Sequence, residues 1–192
     1  MDVQDGVAIV TGSSSGVGAA CARQLAEKGC HVVINYAHNE EGALATQATC
    51  DEYGVETIVQ KADIADDDQC RALANAALDK WGRIDALINN AGTTKFNAHP
   101  NLDGLNKQDF LDIYAVNTVG AYQMTRAVAE SMRTSGQGSV VNVSSIAGVM
   151  GVGSSVAYAA SKGALITMTL SLARALGPEI RVNCICPGFI QG

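Results

Sequence analysis

The sequence predicts an α/β protein built on a doubly wound parallel sheet with helices on both faces. Short apolar runs alternate with longer stretches of helical periodicity along the whole chain. The strand-like runs are apolar on both faces, which is typical of a parallel sheet covered on both sides. No internal repeat, low-complexity tract or linker interrupts the 192 residues. A single domain over residues 1–192 is therefore expected.

Hydrophobic periodicity predicts each element in turn. Strands are expected at residues 7–10, 31–36, 55–61, 84–88, 139–143 and 180–185. Helices are expected at residues 17–28, 40–53, 66–80, 108–133 and 156–176. Gly29 and Gly54 stop the first two helices, and Pro178 separates the last helix from the last strand. Asn117 lies in the fourth helix among weak helix formers, which favours a functional role for a local distortion there.

Composition argues against several classes of protein. Lys and Arg total 13 against 19 Asp and Glu, a net charge of −6, and no basic run suggests a nucleic-acid or anionic membrane surface. No apolar segment approaches the roughly 20 residues of a membrane span, and residues 1–6 do not resemble a signal peptide. The six cysteines indicate buried thiols of a cytoplasmic protein. Cys184 and Cys186 share a strand face, but with no histidine nearby a metal is not expected.

A glycine-rich turn, Gly12-x-x-x-Gly16-x-Gly18, joins the first strand to the first helix. Such glycines permit a tight turn, and a helix N-terminus offers free N–H groups to an anion. The spacing is not that of G-x-G-x-x-G, and no Lys-Ser/Thr follows, which excludes a Walker-type loop. A plain flexible turn is the alternative. The position at the first strand–helix junction favours a dinucleotide site that includes Ser14, Ser15 and Val17.

The end of the second strand bears on the choice of dinucleotide. Many dinucleotide folds place a carboxylate there to bind the ribose 2′-hydroxyl of NAD, whereas this chain has Tyr36. No carboxylate lies at this position that would repel a 2′-phosphate. His38 could approach such a phosphate, although a solvated loop histidine is an equal alternative. We therefore expect NADP(H), with NAD(H) as the other possibility, since no Arg or Lys lies nearby.

Tyr158 and Lys162 lie four residues apart on the last predicted helix and share one face. An ammonium beside a phenol stabilises the phenolate, which suits the tyrosine to proton transfer near neutral pH. Ser144 and Ser145 follow the fifth strand, where they could be turn formers or site residues.

Six segments in order along the chain resemble motifs of the short-chain dehydrogenase/reductases, closest to the group that contains the 3-oxoacyl-acyl-carrier-protein reductases. They are T-G-S-S-S-G-V-G, A-D-I, I-N-N-A-G, a serine, Y-A-A-S-K and C-P-G-F-I. The resemblance covers nearly the whole chain and implies a Rossmann-type sheet of order 3-2-1-4-5-6. It also implies a homodimer or homotetramer built on helices 108–133 and 156–176. The resemblance also implies a substrate-covering C-terminal segment and a final strand after Pro187-Gly188, so these 192 residues are expected to be part of a longer chain.

The resemblance also implies roles for individual residues. Tyr158 would be the catalytic acid/base, Lys162 would hold the nicotinamide ribose, and Asn117 would link Lys162 to solvent through a water. Ser145, thirteen positions before Tyr158, would orient the substrate carbonyl. The remaining cofactor contacts would be Gly12, Gly16 and Gly18 at the pyrophosphate, Asp63 and Ile64 at the adenine, Asn90, Ala91 and Gly92 along the cofactor, and Pro187, Gly188 and Ile190 at the nicotinamide.

The expected activity is hydride transfer between NADP(H) and a small-molecule carbonyl/alcohol pair, with a 3-oxoacyl thioester as one substrate. Sugar, steroid or small-alcohol chemistry with NAD is the alternative. A patch of Arg126 and Arg133 could receive an acyl-carrier protein. A different class, a dinucleotide-binding sensor or scaffold without turnover, would be expected to lack one of the four polar catalytic residues, and this chain has all four.

Overall fold

A computed structural model describes residues 3–190. Within this range, six parallel strands form one sheet in the order β3-β2-β1-β4-β5-β6, which confirms the doubly wound fold. The strands are β1 (Val7–Val10), β2 (His31–Tyr36), β3 (Thr57–Lys61), β4 (Ala86–Asn89), β5 (Gly138–Val143) and β6 (Ile180–Ile185). The strand order changes direction between β1 and β4, where open parallel sheets bind their ligands.

The helices of the same range cover both faces of the sheet. They are α1 (Gly16–Glu27), α2 (Glu40–Asp51), α3 (Asp67–Trp81), α4 (Lys107–Tyr114), α5 (Ala121–Thr134), α6 (Ala147–Met150) and α7 (Val156–Leu176). One apolar core lies between the sheet and α3, α5 and the end of α7, around Leu73, Leu87 and Met124. A second core lies between the sheet and α1 and α2, around Val32 and Ile34.

The prediction of one continuous helix over residues 108–133 is wrong in one respect. A turn of π-helix, Ala115–Gly120, separates α4 from α5. Asn, Thr, Val and Gly in this turn are weak α-helix formers, and such wider turns occur often at functional sites. Gly120 packs against the neighbouring loop so closely that a Cβ there would lie 2.7 Å from Ile64 Cδ1. Two short elements, Leu102–Gly104 and α6, lie in segments predicted as loops.

Helix α7 has the length and composition of a candidate membrane span, contrary to the expectation that no segment approaches that length. It has 21 residues, and its most apolar window has a mean hydropathy of 1.2. It is nevertheless part of the α/β core, since Leu165 and Leu176 are buried and the charged Lys162 is 4% exposed. The share of that window that is buried is 33%, so α7 packs one face against the core and leaves the other exposed.

Helices α6 and α7 approach each other at Gly148. A Cβ at Gly148 would lie 2.5 Å from the carbonyl carbon of Lys162 and 2.6 Å from the amide nitrogen of Gly163. Backbone atoms in a helix cannot move aside as a flexible side chain can. Glycine at this position therefore fixes how closely the two helices pack.

Gly148→Ala is expected to lower the free energy of unfolding by about 1–3 kcal/mol, because the added methyl meets this backbone. Urea denaturation followed by circular dichroism measures the change. Gly188→Ala is the matched control, because a Cβ there meets no atom within 4 Å. Equal stability of the two variants would contradict the contact.

Candidate active site

A continuous cleft runs along the carboxyl edge of the sheet. It consists of two cavities that share Val17, Asn90, Gly92 and Thr93. The glycine-turn cavity, of about 560 Å³, is lined by Gly12, Ser14, Ser15, Gly16, Val17, Asn35, Ala37, His38, Asn39, Ala62, Asp63, Ile64, Asn90, Ala91, Gly92, Thr93 and Val116. The tyrosine cavity, of about 510 Å³, is lined by Val17, Asn90, Gly92, Thr93, Thr94, Val143, Ser144, Ser145, Ile146, Ala147, Val152, Gly153, Ser154, Tyr158, Lys162, Pro187, Gly188, Phe189 and Ile190.

The glycine turn is shaped by close backbone packing. Gly12 has φ +61°, and a Cβ there would lie 2.8 Å from Ala91 Cα. A Cβ at the buried Gly18 would lie 2.4 Å from the Gly12 carbonyl oxygen, so Gly18 supports the turn from behind and does not line the cleft. Gly16 has φ +53° and borders open space within the cleft. The turn thus exposes its backbone and the start of α1 to whatever occupies the cavity.

Three polar side chains hold this turn, those of Thr11, Asn35 and Asn90, of which only Asn90 is predicted as a cofactor contact. Asn35 Oδ1 accepts a hydrogen bond of 3.0 Å from Gly12 N. Thr11 Oγ1 accepts from the backbone nitrogens of Asn90 and Ala91, both at 3.0 Å. Asn90 Nδ2 donates to the Thr11 and Gly12 carbonyls, also at 3.0 Å. The sequence could have indicated Asn35, because it is a polar residue inside an apolar strand. Nothing in the sequence indicates Thr11 beyond its position before Gly12.

At the end of β2, the surroundings of Tyr36 differ from those predicted for a cofactor contact. Tyr36 is 7% exposed and packs in the core between the sheet, α1 and α2, so it does not line the cleft. Burial and the neighbouring Glu40 carboxylate raise the pKa of the Tyr36 hydroxyl. The cavity is instead lined by the next three residues, Ala37, His38 and Asn39. This corrects the prediction that Tyr36 contacts the cofactor. The helices packed on this side of β2 bury the residue.

The two serines after β5 have different surroundings. Ser144 is buried, and its hydroxyl donates to the Lys162 carbonyl oxygen at 2.8 Å. Ser145 is half-buried, and its Oγ accepts from Ala147 N at 3.1 Å. The Ser145 hydroxyl hydrogen is therefore free to point into the tyrosine cavity, beside Tyr158. This geometry favours Ser145 over Ser144 as the residue that meets a substrate.

Lys162 holds a nearly buried ammonium beside the tyrosine. Its Nζ donates to the Val143 carbonyl oxygen at 2.8 Å and lies 5.8 Å from the centre of the Tyr158 ring. Burial lowers the pKa of Lys162 to about 8, and nearby Cys184 opposes that shift weakly. Gly92 borders this group, and a Cβ there would lie in ordinary van der Waals contact with Lys162 Nζ, at 3.4 Å.

Asn117 lies behind the cleft, in the π-helical turn, and does not line either cavity. Its Nδ2 donates to Thr93 O at 2.9 Å and to Ser161 Oγ at 3.0 Å, and its Oδ1 accepts from Thr93 N at 2.7 Å. Ser161 Oγ in turn donates to the Tyr158 carbonyl at 2.7 Å. Asn117 thus ties the segment after β4 to α7. The sequence gives no signal for Ser161, because a serine before a lysine forms no pattern of its own.

Charges and metal ligands are sparse around the cleft. Among the described residues that line the tyrosine cavity, Lys162 is the only one with a charged side chain. Residues 3–190 contain no group of three His, Cys, Asp or Glu side chains that could hold a metal, and Cys184 and Cys186 gain no third ligand. On the surface, Arg126 binds Asp67, so the suggested Arg126 and Arg133 patch has one cation already paired.

The arrangement combines two capabilities in one cleft. One end offers backbone N–H groups and a helix N-terminus, which suit a phosphate. The other end offers a phenol, a hydroxyl and a buried ammonium, which suit proton transfer to and from a reacting oxygen.

Comparison with known proteins agrees with this geometry. The family model described as short chain dehydrogenase matches residues 6–192. A protein named ketoacyl reductase 2 of the granaticin polyketide synthase of Streptomyces violaceoruber is 40% identical over 96% of this chain and 73% of its own length. The 3-oxoacyl-[acyl-carrier-protein] reductase of Synechocystis sp. is 37% identical over 96% of this chain and 74% of its length.

Solved structures give the same result. A short-chain dehydrogenase/reductase structure from Burkholderia xenovorans superposes with a TM-score of 0.95 and 45% identity, over 97% of this chain and 78% of the other. An NAD⁺-bound xylitol dehydrogenase superposes with a TM-score of 0.93 and 33% identity, over 100% of this chain and 73% of the other. The chain belongs to the short-chain dehydrogenase family and is an oxidoreductase that uses NAD(P) to interconvert alcohol and carbonyl groups.

Proposed function

We propose that this protein is an NADP(H)-dependent reductase of 3-oxoacyl thioesters in which Tyr158 donates and accepts the proton. The observation that carries the proposal is the meeting of Tyr158, Ser145 and Lys162 at one end of a cleft whose other end is the glycine turn. The four residues that both cavities share make the cleft continuous between these two ends.

The residues present fit a dinucleotide. Close packing requires glycine at positions 12 and 18, and of the three glycines only Gly12 and Gly16 line the cavity, where Gly16 leaves space that a side chain would fill. We propose that this turn holds the pyrophosphate, that Asp63 and Ile64 border the adenine, and that Pro187, Gly188 and Ile190 border the nicotinamide. When bound, the cofactor supplies or accepts the hydride.

The chain's own residues handle the proton and the charge. In reduction, the Tyr158 hydroxyl gives its proton to the carbonyl oxygen, and in oxidation it takes the proton back. The Ser145 hydroxyl donates a hydrogen bond to the same oxygen and stabilises its developing charge. The Lys162 ammonium stabilises the Tyr158 phenolate. We propose that a water-mediated link from Lys162 to solvent passes Asn117, whose side-chain oxygen and nitrogen are both already hydrogen-bonded.

The surroundings of the β2 end support NADP(H). Ala37, His38 and Asn39 line the glycine-turn cavity there, and none of them carries a carboxylate that would repel a 2′-phosphate. NAD(H) is the alternative, supported by the absence of Arg and Lys from the described cavity lining and by the similarity to the NAD⁺-bound xylitol dehydrogenase.

The proposed substrate class follows the relatives and the cavity. The similar proteins from Streptomyces and Synechocystis are named ketoacyl and 3-oxoacyl reductases. The net charge of −6 and the pairing of Arg126 with Asp67 favour a small thioester over a docked acidic carrier protein. A sugar or small alcohol is the second candidate, supported by the xylitol dehydrogenase similarity.

We also propose that the protein forms a homodimer or homotetramer in the cytoplasm. Leu111, Tyr122 and Leu170 on α4, α5 and α7 expose about half of their surface, 50%, 44% and 56%, which suits a subunit contact. The expectation of buried thiols holds for Cys30, Cys50 and Cys70, whereas Cys21 and Cys184 are half-buried and Cys186 is exposed.

Tyr158→Phe is expected to lower the turnover number for a 3-oxoacyl thioester with NADPH about 10²- to 10⁴-fold, because the proton donor is lost. Steady-state reduction of a panel of thioesters, ketones and sugars measures it. Tyr53→Phe, at an exposed tyrosine after α2, is the control and should keep wild-type turnover. Near-full turnover by Tyr158→Phe would refute the proposed role.

His38→Asp is expected to lower the ratio of kcat/KM for NADPH to kcat/KM for NADH by about 5- to 10-fold, through ~1 kcal/mol of repulsion of the 2′-phosphate in water-like surroundings. Ala72→Asp, at an exposed position of α3 away from the cleft lining, is the charge-matched control. An unchanged ratio in His38→Asp would count against a 2′-phosphate at this end of the cavity.

A further inference from the structure

Two polar side chains of the tyrosine cavity have no part in the proposed proton chemistry. They are Thr94 and Ser154, whose Oγ1 and Oγ atoms lie 2.6 Å apart in a hydrogen bond. Both residues line the cavity that holds Tyr158. Ser144, also at the cavity wall, is already bonded to the Lys162 carbonyl, so its hydroxyl is not available. We call the two hydroxyls the Thr94–Ser154 pair.

The pair joins two loops that are distant in sequence. Thr94 follows β4, and Ser154 lies one residue before the N-cap of α7, 60 positions later. A backbone bond reinforces the junction, since Asn97 N donates to the Ser154 carbonyl at 2.8 Å. The adjacent Ser155 Oγ accepts from Tyr158 N at 3.2 Å, which starts the helix that carries the tyrosine. The position of the pair is therefore fixed relative to Tyr158.

The chemistry of the pair suits an uncharged oxygen. Two hydroxyls bonded to each other keep one hydrogen and several lone pairs for a third group. Thr94 is exposed and Ser154 is half-buried, and among the described residues that line this cavity no Arg accompanies them and the Lys162 ammonium is bonded to the Val143 carbonyl, so no cation is placed to pair with a carboxylate or phosphate. Ile146, Val152 and Phe189 make the neighbouring wall apolar.

We infer that the Thr94–Ser154 pair is a specificity subsite that binds a second, uncharged oxygen of the substrate while the reacting carbonyl lies at Tyr158. This inference rests on the proposed function and narrows it. The pair would bind the thioester carbonyl of a 3-oxoacyl thioester and would distinguish such a dicarbonyl substrate from a simple ketone. A site built to hydrogen-bond a substrate oxygen disfavours the analogue that lacks it.

The test compares two substrates in the wild-type protein and in Thr94→Val, a change of similar volume. The substrates are S-acetoacetyl-N-acetylcysteamine and a monoketone of matched length in which CH₂ replaces the thioester carbonyl. In Thr94→Val, kcat/KM for the thioester is expected to fall about 3- to 10-fold further than kcat/KM for the monoketone, as one neutral hydrogen bond is lost. Ser154→Ala should show the same bias, and Thr94→Ser, which keeps the hydroxyl, should restore the wild-type ratio.

A binding measurement separates this inference from the activity. Calorimetric titration of the 3-hydroxyacyl product into cofactor-loaded protein should give a Kd about 3- to 10-fold weaker in Thr94→Val than in wild type. Equal losses for thioester and monoketone would show that the pair only positions α7, and would overturn the inference while leaving the proposed function intact. A wild-type protein that reduces the monoketone but not the thioester would overturn both.

Discussion

The hydrogen bond from the buried Lys162 ammonium to the Val143 carbonyl is the interaction on which the site depends. A buried charge is costly unless it is paired or hydrogen-bonded, and the end of β5 supplies the acceptor at 2.8 Å. This bond attaches α7 to the carboxyl edge of the sheet and places Tyr158, one turn earlier, over the cleft. Two further contacts hold the same part of α7: Gly148 lets α6 approach the Lys162 backbone, and the buried Ser144 hydroxyl donates to the Lys162 carbonyl.

The opposite end of the cleft is held by neutral hydrogen bonds. Thr11 and Asn90 join the ends of β1 and β4, the neighbouring strands where the sheet order changes direction. Asn35, on the next strand, fixes the Gly12 amide. A turn held from three strands keeps its shape without a ligand, which reduces the ordering cost of binding one. Gly92 then lies between the two ends, close to both Asn117 and Lys162.

The sequence predicts the features that local spacing determines. The four-residue interval between Tyr158 and Lys162 and the strand–glycine–helix junction depend only on neighbours in the chain, and both are present. The sequence does not predict features that depend on packing between distant segments. Tyr36 ends a strand as predicted, but the helices on its side of the sheet bury it. The Thr94–Ser154 pair joins segments 60 positions apart, and no local pattern records such a contact. The weak helix formers around Asn117 indicated a distortion but not its π-helical form.

The most direct test of this account is the titration of Lys162 in the protein without cofactor. Expression with ¹³Cε-labelled lysine followed by NMR over a pH series reports the protonation of each lysine, and loss of a resonance in Lys162→Met identifies the buried one. Because burial lowers the pKa of Lys162 to about 8, the group is protonated below that pH and neutral above it. The expected midpoint of the Lys162 titration lies near pH 8. A midpoint near the ordinary lysine value of about 10.4 would contradict it.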